Sequence, residues 1–173
     1  LEGLANVIKR HEDLFVLADE IYEHINYVGK HESIAQFEGM KERTIIVNGV
    51  SKAYAMTGWR IGYIAAPEWI VKGCNKLQGQ YTSGPCSVSQ KAAEFAYTAD
   101  QSCVEEMRLA FERRRNLIVE LAKDIPGLEV NVPEGAFYLF PKCSSFYGKS
   151  DGATTINNST DLAMYLLEKG HVA

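Results

Sequence analysis

The sequence predicts an α/β fold in which a mostly parallel sheet packs with helices and is followed by part of a smaller α+β domain. Two short apolar runs, at residues 14–18 and 44–50, have the composition of buried strands, and each leads into a polar loop. Helical patterns then occupy most of residues 67–123. After Gly127 the apolar residues alternate with polar ones, which is typical of a new set of strands.

The composition is that of an ordinary globular protein, with 173 residues of which 46% are hydrophobic and 23% are charged. This composition excludes disordered and collagen-like classes. The formal net charge of −4 is mild, so we expect no nucleic-acid or membrane partner. No apolar run approaches the length of a membrane span, and the first residues lack the order of a signal peptide.

The cysteines and histidines do not have the spacing of metal ligands. None of the cysteines forms a Cys-x-x-Cys pair, and we expect no metal site. In a chain of this size they are typical of free thiols in a reducing compartment, which favours a cytoplasmic location. These cysteines are Cys74, Cys86, Cys103 and Cys143.

The first predicted elements are a helix and a strand. Leu4, Val7 and Ile8 share one helical face without a capping residue before them, so we expect the chain to begin inside a helix that has been cut. The strand at residues 14–18 then delivers polar side chains into the next loop. Residues 26–42 are polar and interrupted by glycines, so we expect them to run over the surface.

The second strand, at residues 44–50, leads directly into Ser51 and Lys52. A lysine at the carboxyl end of a strand stands where open α/β sheets bind ligands, and apolar walls there favour an amine that captures a carbonyl. Eight residues later, Arg60 offers a cationic fork suited to a phosphate.

Each of these residues also has an ordinary interpretation by itself. An isolated Lys52 is typical of a surface lysine, and Asp19 with Tyr22 is typical of a turn at a strand end. Their occurrence after two neighbouring strands favours the interpretation as a binding site. An acid and a phenol three residues apart could then address two points of one planar ligand.

Residues 60–66 have a third strand pattern, only nine residues after the second. A parallel crossover requires a dozen or more residues, so we expect this pair to be antiparallel. Pro67 and Glu68 then open a helix, with a polar loop at residues 78–84 before a further helix that ends near Thr98.

A long helix is predicted from about residue 100 to residue 123, where Pro126 and Gly127 end the pattern. The three arginines at 113–115 point to different sides of a helix, which favours a solvated face over a nucleic-acid patch. The apolar stripe of this helix consists of Val104, Met107, Phe111, Ile118 and Leu121.

Beyond this helix, residues 128–132 alternate as a strand and residues 135–140 predict a more buried one. The Asn-Asn-Ser-Thr run that begins at Asn157 predicts a helix cap. A last helix is predicted at residues 161–169, with Gly170 as its terminator and a further strand beginning after it. We expect this end of the chain to be truncated as well.

Three short stretches carry a resemblance to a known family. They are Asp19-Glu20-Ile21-Tyr22, Ser51-Lys52 and Gly58-Trp59-Arg60-Ile61-Gly62, in this order and in this strand context. Together they resemble the pyridoxal-phosphate (PLP) signature of class I/II aminotransferases of fold type I, closest to the aspartate aminotransferase-like branch. The similarity extends over essentially the whole chain.

The resemblance implies a role for each site residue. Lys52 would bind the cofactor covalently and later move the proton at the substrate α-carbon. Asp19 would pair with the pyridine nitrogen, and Tyr22 would donate a hydrogen bond to the ring's phenolic oxygen. Ser51 and Arg60 would hold the phosphate. The loop at residues 78–84 could line the cofactor pocket or could equally be an ordinary connection.

The resemblance also implies a domain organisation and an activity. Residues 1–124 would form a portion of the PLP-binding large domain, including the long connecting helix, and residues 125–173 would form part of the small C-terminal domain. The activity would be transfer of an amino group between an amino acid, aspartate first, and a 2-oxo acid in a homodimer. Further site elements of the family, among them the arginine for the substrate α-carboxylate, fall outside this sequence, so we expect the fragment alone to be inactive.

Other functions stay open at this point. The same scaffold supports aromatic or alanine transamination and lyase or decarboxylase reactions. A different class is the aminotransferase-like sensor domain of a transcription regulator, which binds PLP without turnover. A folded but inactive piece is a third possibility.

Overall fold

A computed structural model describes residues 1–172 of the chain, whose sheet has three strands in the order β1-β2-β3. The strands are β1 (Val16–Asp19), β2 (Thr44–Gly49) and β3 (Gly62–Ala65). β1 pairs with β2 in parallel, and β2 pairs with β3 antiparallel. The predicted α/β class and the antiparallel third strand are therefore confirmed.

The register of the sheet brings the ends of β1 and β2 and the start of β3 to one edge. Asp19 lies opposite Val47 near the carboxyl end of β2, and Gly49 at that end lies opposite Gly62, the first residue of β3. The polar residues that follow β1 and β2, and those that precede β3, consequently share this carboxyl edge.

The helices have the order predicted by their apolar patterns. They are α1 (Glu2–Ile8), α2 (Glu68–Tyr81), α3 (Ser87–Thr98), α4 (Ser102–Lys123) and α5 (Ser159–Tyr165). Within residues 1–172, no helix has both the length and the apolar composition that crossing a bilayer requires.

α2 is longer than its predicted extent. It continues through residues 78–81 to Tyr81, and the Thr82 amide closes it on the Gln78 carbonyl oxygen at 2.9 Å. Glutamine is a good helix former and one glycine is tolerated, so the polar composition does not end the helix. The predicted loop therefore shrinks to the residues between α2 and α3.

The segment at residues 26–42 does not simply run over the surface, and that prediction was wrong. Its side chains Ile34 and Met40 are 6% and 0% exposed and form a core cluster with Ala5 of α1. The Ser33 hydroxyl accepts a hydrogen bond from the Ala35 amide and caps a short 3-10 turn. A small number of apolar residues is enough to anchor a polar segment when they pack between a helix and the sheet.

The predicted strands at residues 128–132 and 135–140 do not form among the described residues. One antiparallel bridge joins Glu129 and Lys142, with amide-to-carbonyl distances of 3.1 and 2.9 Å. Ala136 has φ of +55°, which interrupts an extended backbone, and the Phe140 side chain is 91% exposed. A strand pattern becomes a strand only when a neighbour satisfies its backbone groups along its length, and in this described segment only the isolated positions Glu129 and Gly135 have a bridge.

α5 begins with the predicted cap. The Asn158 Oδ1 accepts a hydrogen bond from the Asp161 amide at 3.0 Å, and the Asp161 carboxylate accepts one from the Asn157 amide at 2.8 Å. These reciprocal bonds satisfy two amides at the helix start.

The end of this helix differs from the prediction. The backbone continues past α5 as a π-helical turn, Leu166–Gly170, and the left-handed residue is His171 at φ +55° rather than Gly170. The Val172 amide donates to the Leu166 carbonyl oxygen at 3.1 Å, so the chain closes the helix where a new strand was predicted. Ala173, the third residue of the predicted strand start, lies outside the described residues.

Contacts within the chain define two compact units, Leu1–Ala110 and the residues from Phe111 onward. α4 contributes residues to both units. The division into domain portions at residues 1–124 and 125–173 stays a prediction for the whole protein.

Candidate active site at the carboxyl edge of the sheet

Asp19 ends β1 with an exposed side chain. Its Oδ1 accepts a hydrogen bond from the Ile21 amide at 3.3 Å, and the Glu20 amide donates to the Val47 carbonyl oxygen at 2.9 Å. These two bonds fix the direction in which the chain leaves the strand. The Asp19 carboxylate therefore stands accessible at the carboxyl edge of the sheet.

Tyr22 lies in the turn that follows. Its carbonyl oxygen accepts a hydrogen bond from the Ile25 amide at 2.8 Å, and the Ile25 side chain is 1% exposed. The buried Ile25 side chain thus anchors this turn to the first compact unit. The phenol of Tyr22 is half-buried as a result.

Lys52 lies in the loop after β2, which we call the lysine loop (residues 50–56). Val50 and Ala53 on either side are 0% and 2% exposed, so the loop is anchored on both sides of the lysine. The Lys52 side chain is half-buried, and its Nζ lies 5.8 Å from the centroid of the Tyr22 ring. The structure thus brings together the two residues predicted from separate strands.

Gly49 is required where β2 meets β3. A Cβ atom at this position would lie 2.8 Å from the Ile61 carbonyl oxygen and 2.9 Å from the Gly62 Cα. Both atoms belong to the backbone, which cannot move aside as the end of a flexible side chain can. The absence of a side chain at Gly49 therefore permits the close approach that puts the lysine loop and the start of β3 at one edge.

Arg60 is exposed and lies just before β3, at the same edge. Its backbone has φ of 55° and ψ of 51°, a conformation that costs a residue with a side chain about 1 to 2 kcal/mol. Its Nη1 donates to the Thr57 carbonyl oxygen at 2.9 Å, which orients the guanidinium within its own turn. Strain of this kind is concentrated at functional sites, which supports the predicted role of Arg60 in binding.

The arrangement has the chemistry that a planar phosphorylated cofactor requires. Asp19 and Ser51 lie at the same edge as the Lys52 and Tyr22 pair, and Arg60 precedes the strand that begins there. The edge consequently offers an amine, a phenol, a carboxylate, a hydroxyl and a guanidinium. A guanidinium has five N–H donors, so its bond to Thr57 leaves donors for a phosphate.

Sequence reasoning missed a polar network beside Asp19. The Glu20 Oε1 accepts a hydrogen bond from the Ser33 hydroxyl at 2.6 Å, and the Glu20 Oε2 lies 2.9 Å from His31 Nε2. Glu23 brings a further carboxylate, and ligand atoms of Glu20, Glu23 and His31 lie within 4.8 Å of one another. Ser33 and His31 already engage both Glu20 oxygens, so the cluster is explained without an ion. No local spacing signals a pairing across eleven or thirteen residues.

A second missed feature lies on the other side of the lysine loop. The Tyr54 hydroxyl donates a hydrogen bond to Gln101 Oε1 at 2.8 Å, and the Tyr54 ring packs edge-on against Tyr97 at 5.2 Å between centroids. Burial, followed by the nearby charge of Glu23, raises the pKa of the Tyr54 phenol. A tyrosine two residues from the predicted lysine is the only sequence signal for this contact.

Comparison with known proteins gives consistent results along the chain. The family model for aminotransferase class I and II matches residues 1–173. A bifunctional aspartate aminotransferase and glutamate/aspartate-prephenate aminotransferase of Petunia hybrida is 49% identical over 100% of this chain and 37% of its own length. An aspartate aminotransferase of Rhizobium meliloti (strain 1021) is 46% identical over 98% of this chain and 42% of its own length.

Solved structures give the same result for the fold. The aspartate aminotransferase from Rhizobium meliloti superposes with a TM-score of 0.94 at 45% identity, over 99% of this chain and 44% of that one. An aromatic aminotransferase from Pyrococcus horikoshii OT3 superposes with a TM-score of 0.87 at 40% identity, over the same shares of both chains. The chain spans about two fifths of the length of the relatives it matches.

Proposed function

Because this chain belongs to the class I and II aminotransferases, we propose that the whole protein transfers an amino group between aspartate and a 2-oxo acid with PLP as its cofactor. Support for aspartate comes from relatives at 41–49% identity that are named aspartate or aspartate/prephenate aminotransferases. Support for the cofactor comes from the groups collected at the carboxyl edge of the sheet.

The observation that carries the proposal is the position of the Lys52 amine 5.8 Å from the Tyr22 ring at this edge. When bound, PLP supplies an electron-withdrawing ring that stabilises negative charge on the substrate α-carbon. The Lys52 Nζ would hold the cofactor covalently and, once displaced by substrate, move the proton at that carbon. Its half-buried stem limits the directions in which the amine can point.

The other side chains would bind and orient the cofactor. The Asp19 carboxylate would accept a hydrogen bond from the protonated pyridine nitrogen and stabilise its positive charge. The Tyr22 hydroxyl would donate to the ring oxygen beside the lysine. The Ser51 hydroxyl and the Arg60 guanidinium would hold the phosphate, since a planar cationic fork matches phosphate oxygens.

Covalent labelling tests the role of Lys52. The purified protein is loaded with PLP, reduced with borohydride and mapped by peptide mass spectrometry. We expect the pyridoxyl group on the peptide that contains Lys52, and no label in a Lys52→Ala variant. Lys72→Ala is the matched control, because Lys72 is an exposed α2 lysine that pairs with Glu68 at 2.7 Å. A label on any other lysine would contradict the assignment.

An aromatic amino acid is the second candidate substrate, because a solved structure named an aromatic aminotransferase superposes with a TM-score of 0.87. Competition between aspartate and phenylalanine as amino donors distinguishes the two. A kcat/KM at least tenfold higher for aspartate would support aspartate as the substrate. A kcat/KM higher for phenylalanine would favour an aromatic substrate instead.

The proposal extends to a homodimer in the cytoplasm. The dimer is supported by the resemblance to fold-type I enzymes. The location is supported by the cysteines, which are free thiols in the structure. Sedimentation of the whole protein at several concentrations tests the oligomeric state.

A further inference from the structure

Tyr54 connects the lysine loop to a distant part of the same unit. It follows Lys52 by two residues, and its hydroxyl donates to Gln101 Oε1 at 2.8 Å across 47 residues of chain. Gln101 is itself held, because its Nε2 donates to the carbonyl oxygens of Ala96 at 3.0 Å and Ala99 at 2.7 Å. Both amide hydrogens are thereby used, which orients the amide oxygen toward the Tyr54 hydroxyl.

The Tyr54 ring adds contacts on two sides. It packs edge-on against Tyr97 of α3, at 5.2 Å and 74°, and against His24, at 6.2 Å and 67°. His24 lies two residues after Tyr22 in the same turn, and it is the Tyr22 ring that faces the Lys52 amine. One side chain thus contacts both the turn that carries Tyr22 and the helix behind the lysine loop.

The lysine loop is anchored by the buried residues Val50 and Ala53, and the backbone hydrogen bonds at Tyr54 and Ala55 are long. The Tyr54 amide donates to the Val50 carbonyl oxygen and the Ala55 amide donates to the Lys52 carbonyl oxygen, both at a long 3.3 Å. Ala55 is held at φ +53°, a conformation unfavourable for a residue with a Cβ atom. A strained residue persists only where the surrounding contacts hold it, and the Tyr54 side chain supplies such contacts on the carboxyl side of Lys52.

We propose that Tyr54, anchored by Gln101, is a positioning residue that holds the Lys52 amine beside Tyr22. Its consequence for the cofactor rests on the proposed function, whereas its effect on the lysine loop does not. The hydroxyl and the ring act together: the hydrogen bond fixes the end of the side chain, and the flanking rings fix its direction.

Hydrogen exchange of the cofactor-free protein tests the effect on the loop. Tyr54→Phe removes only the hydroxyl, so the ring contacts remain. We expect the amides of residues 54 and 55 to exchange about twofold to tenfold faster, the range for loss of one ordinary hydrogen bond. Tyr81→Phe is the matched control, because the Tyr81 side chain is 83% exposed and its substitution should change neither amide.

Reaction of Lys52 with an acylating reagent, mapped by mass spectrometry in the cofactor-free protein, tests the position of the amine. We expect Lys52 to react several times faster in Tyr54→Phe and in Gln101→Leu, with Lys72 unchanged as the internal reference. The double variant should behave like either single variant, because both remove the same bond. Unfolding in urea separates this effect from a loss of global stability.

Loading with PLP adds a third readout that depends on the proposed function. The pH midpoint of the cofactor's visible absorbance should shift in Tyr54→Phe, and kcat should fall with KM nearly unchanged. Unchanged exchange and unchanged Lys52 reactivity would overturn the inference. Faster exchange without any change at the Lys52 amine would overturn it too, since Tyr54 would then serve only the fold. A pyridoxyl label away from Lys52 would overturn the proposed function and leave the cofactor-free results as they stand.

Discussion

At the residue scale, Asp19, Tyr22 and Lys52 contribute three different functional groups to one edge of the sheet. Each group can be altered by a substitution that keeps the size of the side chain. Such substitutions separate the binding of a cofactor from the chemistry that follows, because only the second depends on charge that develops during the reaction.

Asp19→Asn should impair chemistry much more than cofactor binding. The amide can still hydrogen-bond the pyridine ring but cannot stabilise its positive charge, and loss of such a contact raises a barrier by about 2 to 4 kcal/mol. Rapid-mixing measurement of the half-reaction with aspartate, beside titration of PLP binding, checks both parts. Asp13→Asn is the control, because Asp13 is an exposed acid before β1. Half-reaction rates near wild type would refute the role of Asp19.

The Tyr54 phenol should make stability fall at alkaline pH. Its pKa is raised in the folded protein, first by burial and then by the Glu23 charge, so the folded state retains the proton after the unfolded state has lost it. This contribution is fully present below the unfolded pKa of about 10 and is lost as the pH rises above it. Urea unfolding across this range should show a shallower decline in Tyr54→Phe than in wild type. A decline as steep as that of wild type would contradict the shift, and Tyr81→Phe controls for an exposed phenol.

At the scale of elements, the approach of β2 to β3 determines where the lysine loop begins. Gly49→Ala should destabilise the protein, because the added Cβ would lie 2.8 and 2.9 Å from backbone atoms of Ile61 and Gly62. Overpacking against a rigid backbone costs about 1 to 3 kcal/mol. Urea unfolding measures the loss, and Lys52 labelling with PLP should weaken in parallel.

Gly73→Ala provides the matched control for this substitution. Gly73 lies inside α2, and a Cβ atom there would meet nothing within 4 Å. The same change should therefore stabilise the helix by about 0.5 to 1 kcal/mol. If both substitutions changed the free energy of unfolding equally, the close backbone contact at Gly49 would not be the cause of the effect.

The cap of α5 gives a second prediction at this scale. Asn158→Ala removes the acceptor of the Asp161 amide and should cost about 1 kcal/mol. Asn157→Ala is the neighbouring control, because within residues 1–172 the Asn157 side chain donates to the Thr155 carbonyl oxygen and not to the helix, while its backbone amide keeps the bond to Asp161. Amide exchange in residues 159–165 should accelerate in the first variant and not in the second.

At the scale of the whole molecule, residues 1–173 expressed by themselves should self-associate. Leu17 lies in β1, an end strand of the described sheet, and its side chain is 72% exposed. An apolar end strand with unpaired backbone groups promotes association between copies. Other large exposed apolar side chains are Phe140 at 91%, Tyr81 at 83%, Phe95 at 72% and Trp69 at 65%.

Light scattering over a range of concentrations measures this association. Leu17→Lys should reduce it, because a charge on an end strand opposes pairing between copies. Gln78→Lys places the same charge on exposed α2 and serves as the control. A chain that stays monomeric at every concentration would contradict the prediction.

The shared edge at which the candidate site residues lie was predictable because each signal is local. The apolar runs before Asp19 and Lys52 indicate buried strands, and a strand followed by polar residues indicates a ligand edge in an open sheet. The short connection before β3 excluded a parallel crossover, and the structure confirmed the antiparallel pair. The Glu20 and Tyr54 contacts could not be found this way, since their partners are eleven to forty-seven residues away.

The sequence alone determined which segments are helices, where the two parallel strands lie and which residues leave them at one edge, because periodicity and turn residues act over a few positions. The tertiary structure alone decided that Ile34 and Met40 enter a core cluster and that residues 128–140 remain without a strand ladder. Burial and strand pairing both depend on what lies opposite a segment in space. A pattern of apolar residues states only what the segment would do if such a partner were present.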